Sequence, residues 1–78
     1  MNIQEEVLAI LCESNPRIKD NVDADLLKEG YIDSFEIVNI VMALEDTFEI
    51  EIDPELIVPE NFQTLSCITQ LIEQITGN

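Results

Sequence analysis

Apolar residues recur at helical spacing from Ser34 to Phe48, and they do so on two separate faces. On an ideal wheel with Ser34 at the origin, Ile37, Ile40, Val41, Leu44 and Phe48 fall between about 240° and 340°. That is a core stripe of ordinary width. Phe35, Val38 and Met42 fall between about 40° and 100°, beside Ser34 and outside the core stripe. Glu45 and Asp46 flank this second stripe, near about 20° and 120°. The first stripe demands partner helices. The second either packs beneath a loop or short helix, or forms a docking face with an apolar centre and an acidic rim. Met42 suits a docking face, because its flexible thioether adapts to different surfaces.

Partner helices are legible on both sides. Ile3 to Glu13 carries Ile3, Val7, Leu8, Ile10 and Leu11 at helical spacing, with Glu5 and Glu6 at the favourable end of the dipole. Asn15 and Pro16 stop this first helix. Thr64 caps a last helix with Leu65, Ile68, Leu71, Ile72 and Ile75 on one side and Gly77 beyond its end. Asp33 or Ser34 caps the central one, with Glu36 in its first turn. Arg17 to Asp33 is polar and irregular, with Gly30 as a turn signal, yet it keeps placing Ile18, Val22, Leu26, Leu27 and Ile32. Such a loop is expected to pack down on the helices, with a short helical turn at Leu26 and Leu27. Glu49 to Asp53 alternates like a strand but has no partner, so an extended link and no sheet are expected. Pro59 suits the first position of a short helix running to about Phe62. The expected fold is all-α: a small bundle of three long helices and one short helix with a long first loop, residues 1–78 forming a single domain.

Seventeen acidic residues stand against three basic ones, Arg17, Lys19 and Lys28, for a net charge of −14. Nucleic acid is excluded as a partner, because phosphate binding needs Lys and Arg. Anionic membrane surfaces are disfavoured for the same reason. A basic protein patch is the natural partner, although acidity also serves solubility alone. The chain has no His, which removes Ser-His-Asp and Cys-His catalysis and imidazole metal sites. Its carboxylates are scattered, so no enzyme and no metal centre are expected. Asn21, Asp23 and Asp25 have the alternate spacing of a calcium loop, but Leu26 stands where that loop needs Gly and Ile32 where it needs Glu. Cys12 and Cys67 sit alone in helical segments and read as small buried hydrophobes. No leader segment and no membrane-spanning run is apparent, so a cytoplasmic monomer is expected.

At Gly30-Tyr31-Ile32-Asp33-Ser34-Phe35 the chain resembles the acyl carrier protein family, in which Asp-Ser and a large apolar residue open a helix. Val41-Met42-Ala43-Leu44-Glu45-Asp46 and Phe48-Glu49-Ile50-Glu51-Ile52 are similar to that family's second helix and its exit. The resemblance covers nearly the whole chain. It implies that Ser34 receives 4'-phosphopantetheine from coenzyme A through a phosphopantetheinyl transferase, and that Asp33 is recognised by that transferase. It further implies an acyl or aminoacyl cargo held as a thioester. Phe35, Val38 and Met42, with Glu36, Glu45 and Asp46 around them, would dock to loading and transfer enzymes carrying basic patches. Phe35 replaces the usual Leu, and Asn39 stands where many fatty-acid carriers are acidic. Asp-Ser-Phe and the aromatic Phe62 also resemble D-alanyl carriers of teichoic acid modification, while polyketide, peptide and lipid pathways fit as well. The contrasting expectation is an unmodified acidic helical interaction module.

Overall fold

The computed structural model describes residues 2–77, and among them three α-helices and no strand are present. They are α1 (Ile3–Ser14), α2 (Ser34–Phe48) and α3 (Leu65–Thr76). Side-chain caps open each one: Asn2 Oδ1 accepts the Gln4 N–H at 2.8 Å, and Thr64 Oγ1 accepts the Cys67 N–H at 3.1 Å. Asp33 does the same for α2.

The helical periodicity places the core as expected. Val7, Ile10 and Leu11 of α1, Ile37, Ile40, Val41 and Leu44 of α2, and Leu65, Ile68, Leu71 and Ile72 of α3 are buried together. Phe48 and Ile75 lie at the margin, only partly buried. Helix α1 packs against both α2 and α3. Phe35, Val38 and Met42 are 85%, 57% and 62% exposed, so neither loop nor short helix covers the second stripe of α2.

The first loop supplies a further part of the core. Ile18, Leu26 and Ile32 are buried in the same cluster as the helix residues, with Leu27 partly buried against it. The loop is less irregular than its composition implies. Pro16–Asp20 forms a 3₁₀ helix capped by Asn15, whose Oδ1 accepts the Arg17 N–H at 3.0 Å. Leu26 donates its N–H to Gln63 O at 2.7 Å, and its carbonyl accepts from Tyr31 and Ile32 at 2.9 and 3.2 Å. Gly30 turns the chain at φ +75°, a conformation that costs Gly little. Val22 departs from the expectation of a packed-down residue and is 37% exposed, at the rim of a shallow surface hollow it shares with Thr64 and Leu65.

After α2 the chain is extended through Ile52, which is buried, and no sheet forms among the described residues. Two 3₁₀ turns follow, Pro54–Leu56 and Pro59–Asn61. The expected short helix is therefore a single 3₁₀ turn that ends before Phe62, and Phe62 itself is wholly buried. Cys12 and Cys67 are free thiols at half-buried positions, not fully buried ones, since each lies at the edge of its helix's apolar stripe.

Leu44 is fully buried and Met42 is 62% exposed on the same helix. Leu44→Ala is expected to cost about 2–5 kcal/mol and Met42→Ala about 0.5 kcal/mol in paired thermal melts. Helix α2 ends on Glu49 in the left-handed conformation at φ 53°, ψ 51°, where a side chain is disfavoured. Glu49→Gly is therefore expected to stabilise the protein by about 0.5–1 kcal/mol, read from denaturant midpoints.

Candidate functional site

The start of α2 is held from both sides. Ile32 just before it and Ile37 in its first turn are buried, so the residues between them stand on the surface between two apolar anchors. Asp33 is extended, at φ −127° and ψ −177°. Its Oδ1 accepts the Glu36 N–H at 2.9 Å, and its carbonyl accepts the Ile37 N–H at 3.0 Å. The capping position thus belongs to Asp33, and Ser34 is the first helical residue.

Ser34 is exposed, and among the described residues its hydroxyl has no hydrogen-bond partner. The N–H groups of Ser34 and Phe35 lie in the first turn, where no intrahelical acceptor exists. An unbonded primary hydroxyl therefore stands next to free N–H groups at the positive end of a helix of 15 residues. A phosphodiester on this oxygen would find donors and a favourable dipole beside it.

Two contacts from α1 fix where this corner sits. Asn15 Nδ2 donates to Tyr31 O at 3.1 Å, two residues before Asp33. The Ser14 hydroxyl donates to a carboxylate oxygen of Glu36. Neither Ser14 nor Asn15 stood out in the sequence as a residue supporting the site. Asn15 signalled only a helix stop, and nothing marks Ser14 as a partner of a residue 22 positions away.

The expected docking residues divide between two environments. Phe35, Val38, Met42 and Asp46 are exposed on α2, from the turn that bears Ser34 to the last turns of the helix. Glu36 and Glu45 are half-buried and engaged by the protein itself. Glu36 accepts from Ser14, and Glu45 Oε2 accepts the Ile52 N–H at 2.9 Å in the link that leaves α2. Asp46 has no hydrogen-bond or ion-pair partner among the described residues. The triplet with calcium-loop spacing does not converge. Asn21 donates to Arg17 O at 2.9 Å, while both oxygens of Asp25 are engaged. Among the described residues no cluster of three His, Cys, Asp or Glu side chains could hold a metal ion, and no helix is long and apolar enough to cross a membrane.

The family model described as the phosphopantetheine attachment site matches residues 3–75, which takes in α1, α2, all of α3 but its last residue and the whole of the corner around Ser34.

Asp25 ties the first loop to the approach of α3. Its Oδ1 accepts the Lys28 N–H at 2.9 Å, and its Oδ2 accepts from the Gln63 amide at 2.9 Å. The Lys28 N–H, followed by the Gln63 side chain, holds the carboxyl below its ordinary value. A carboxyl lowered on folding contributes stability above its unfolded pKa and loses that contribution as pH falls through the folded one. Asp25→Ala is therefore expected to lower the urea midpoint most at neutral pH, and by progressively less as the pH falls through the carboxyl's folded pKa, where wild type loses the contribution too.

Proposed function

The chain belongs to the phosphopantetheine attachment family, and we propose that its attachment residue is Ser34 and that residues 1–78 act as a single carrier domain. It is a carrier protein whose covalent group is 4'-phosphopantetheine. That group supplies a thiol on which a cargo is held as a thioester. The observation that supports Ser34 is its geometry: an exposed, unbonded hydroxyl at the first position of a helix whose capping Asp33 already provides. Were Ser34 itself the cap, its oxygen would be committed to the backbone. Asp33 presents a carboxylate fixed by one hydrogen bond, with its remaining lone pairs open to a transferase or the metal ion such an enzyme holds.

The chain's other residues present rather than react. It contains no His, and nothing near Ser34 activates the hydroxyl. Activation belongs to the transferase and thioester chemistry to the loading enzymes, so the protein has no turnover of its own. Phe35, Val38 and Met42 provide an apolar docking centre, with the acidic side of α2 around it attracting basic partner patches. The cargo is an acyl or aminoacyl group of fatty-acid, polyketide, peptide or cell-wall biosynthesis. The protein works as a monomer in the cytoplasm, where its two free thiols would stay reduced.

Incubated with coenzyme A, magnesium and a broad-specificity phosphopantetheinyl transferase, the protein is expected to gain one arm, mapped to Ser34 by peptide mass spectrometry. Ser34→Ala gains none. Asp33→Asn keeps the cap and its melting behaviour to within about 0.5 kcal/mol but is modified more slowly. Wild type left unmodified beside a converted reference carrier would overturn the carrier reading.

A further inference from the structure

Asp33, Ser34 and Phe35 are all exposed, so no buried side chain of their own fixes where the serine stands. Its place is set by the residues on either side. The peptide unit that joins Tyr31 to Ile32, just before the corner, is held on both edges. Its carbonyl accepts from Asn15 Nδ2 at 3.1 Å, and its N–H donates to Leu26 O at 3.2 Å. The orientation of the Asn15 amide follows from its partners. The Arg17 N–H can only donate, which assigns it to Oδ1, and the Tyr31 carbonyl can only accept, which leaves it Nδ2. Beyond Ser34, the Glu36 carboxylate takes the Ser14 hydroxyl. Ser14 and Asn15 are consecutive, the last residue of α1 and its C-cap. The end of one helix therefore clamps the start of another on both sides of the serine.

We propose that Ser14 and Asn15 are positioning residues for the modification of Ser34, and that they govern the transfer step rather than the docking that precedes it. The inference rests on the carrier reading and adds to it two residues outside α2. Docking draws on Val38 and Met42, which lie beyond the first turn. Those turns have their own buried anchors in Ile37, Ile40, Val41 and Leu44, so loosening the clamp leaves them in place. The serine has no such latitude. Its oxygen bonds to the phosphorus that bears the pantetheine, the nucleotide half of coenzyme A leaves with the bridging oxygen, and the serine proton goes to the transferase. Such a displacement is sensitive to small misplacements of the attacking atom.

The test is single-turnover modification with excess transferase and saturating coenzyme A, which gives a maximal rate and a half-saturating transferase concentration. Asn15→Asp keeps an acceptor for the Arg17 N–H but has no hydrogen for Tyr31 O. It is expected to lower the maximal rate about tenfold and to leave half-saturation within about twofold. Asn21→Asp is the matched control. It adds the same charge and removes the same kind of bond, from Asn21 Nδ2 to Arg17 O at 2.9 Å, within the first loop. Its maximal rate stays at that of wild type. Ser14→Ala is expected to lower the rate about threefold, and Ser14→Thr, which retains the hydroxyl, to restore it. In hydrogen exchange, Asn15→Asp speeds the Ile32, Glu36 and Ile37 amides about fivefold relative to the Leu44 amide. Equal maximal rates for Asn15→Asp and Asn21→Asp, or a loss that Ser14→Thr does not restore, would overturn the proposal. So would a raised half-saturation at an unchanged maximal rate, which makes the clamp part of docking. In each of those cases wild type is still modified on Ser34 and the carrier reading stands. Failure of wild type to be modified removes both.

Discussion

Leu26 is wholly buried although it belongs to no α-helix, and a buried backbone must satisfy its own polar groups. Its N–H goes to Gln63 O, on the approach to α3, and its carbonyl takes the N–H groups of Tyr31 and Ile32, on the approach to α2. One loop residue thus joins the starts of two helices. Ile18 and Ile32 bury the loop on either side of it, and the Asp25 carboxylate repeats the link to Gln63 through side chains. In a chain of 78 residues, three helices alone bury little surface, so this loop acts as a further layer of the core. The corner carrying Ser34 is as well defined as the loop that leads into it.

The interior has no part in the charge of the protein. Among the described residues the buried side chains are apolar except Thr69, whose hydroxyl donates to Leu65 O at 2.8 Å. No acidic side chain among the described residues is fully buried, and the surplus of negative charge opposes compaction through self-repulsion. The apolar stripe of Phe35, Val38 and Met42 is the break in that acidic surface on α2. A protein of this size leaves such residues uncovered at the expense of hydrophobic stabilisation, which fits a surface kept for partners.

Much of this was legible in the sequence because it depends on local periodicity. The core stripe of α2, its second stripe, a cap at Asp33 or Ser34, the cap at Thr64 and the terminating Gly77 all follow from residues within a few positions of each other; the structure gives the α2 cap to Asp33. What the sequence did not show depends on long-range pairing. The Ser14 to Glu36 bond spans 22 residues, Asn15 to Tyr31 spans 16, and Gln63 to Asp25 spans 38. The helical wheel marked Glu45 as a rim acid alongside Asp46 and the family resemblance added Glu36, and only the fold distinguishes the two with internal partners from the one without. The 3₁₀ helix at Pro16–Asp20 escaped notice because its polar residues carry no helical stripe, only the single buried Ile18. Val22 reads as one more aliphatic anchor, yet it is left partly exposed while Ile18 and Leu26 on either side of it are buried.

Asn15 does three jobs: its N–H donates to Leu11 O and closes α1, its Oδ1 accepts the Arg17 N–H and caps the following 3₁₀ helix, and its Nδ2 donates to Tyr31 O. The last of these needs an amide, since a carboxylate in its place has no hydrogen to donate. Asparagine side chains age by cyclising onto the nitrogen of the next peptide group, which requires that nitrogen to give up a hydrogen. The next residue here is Pro16, whose nitrogen has none. The clamp between the end of α1 and the approach to α2 is thereby closed to deamidation through the cyclic imide, and its amide donor is kept as the molecule ages.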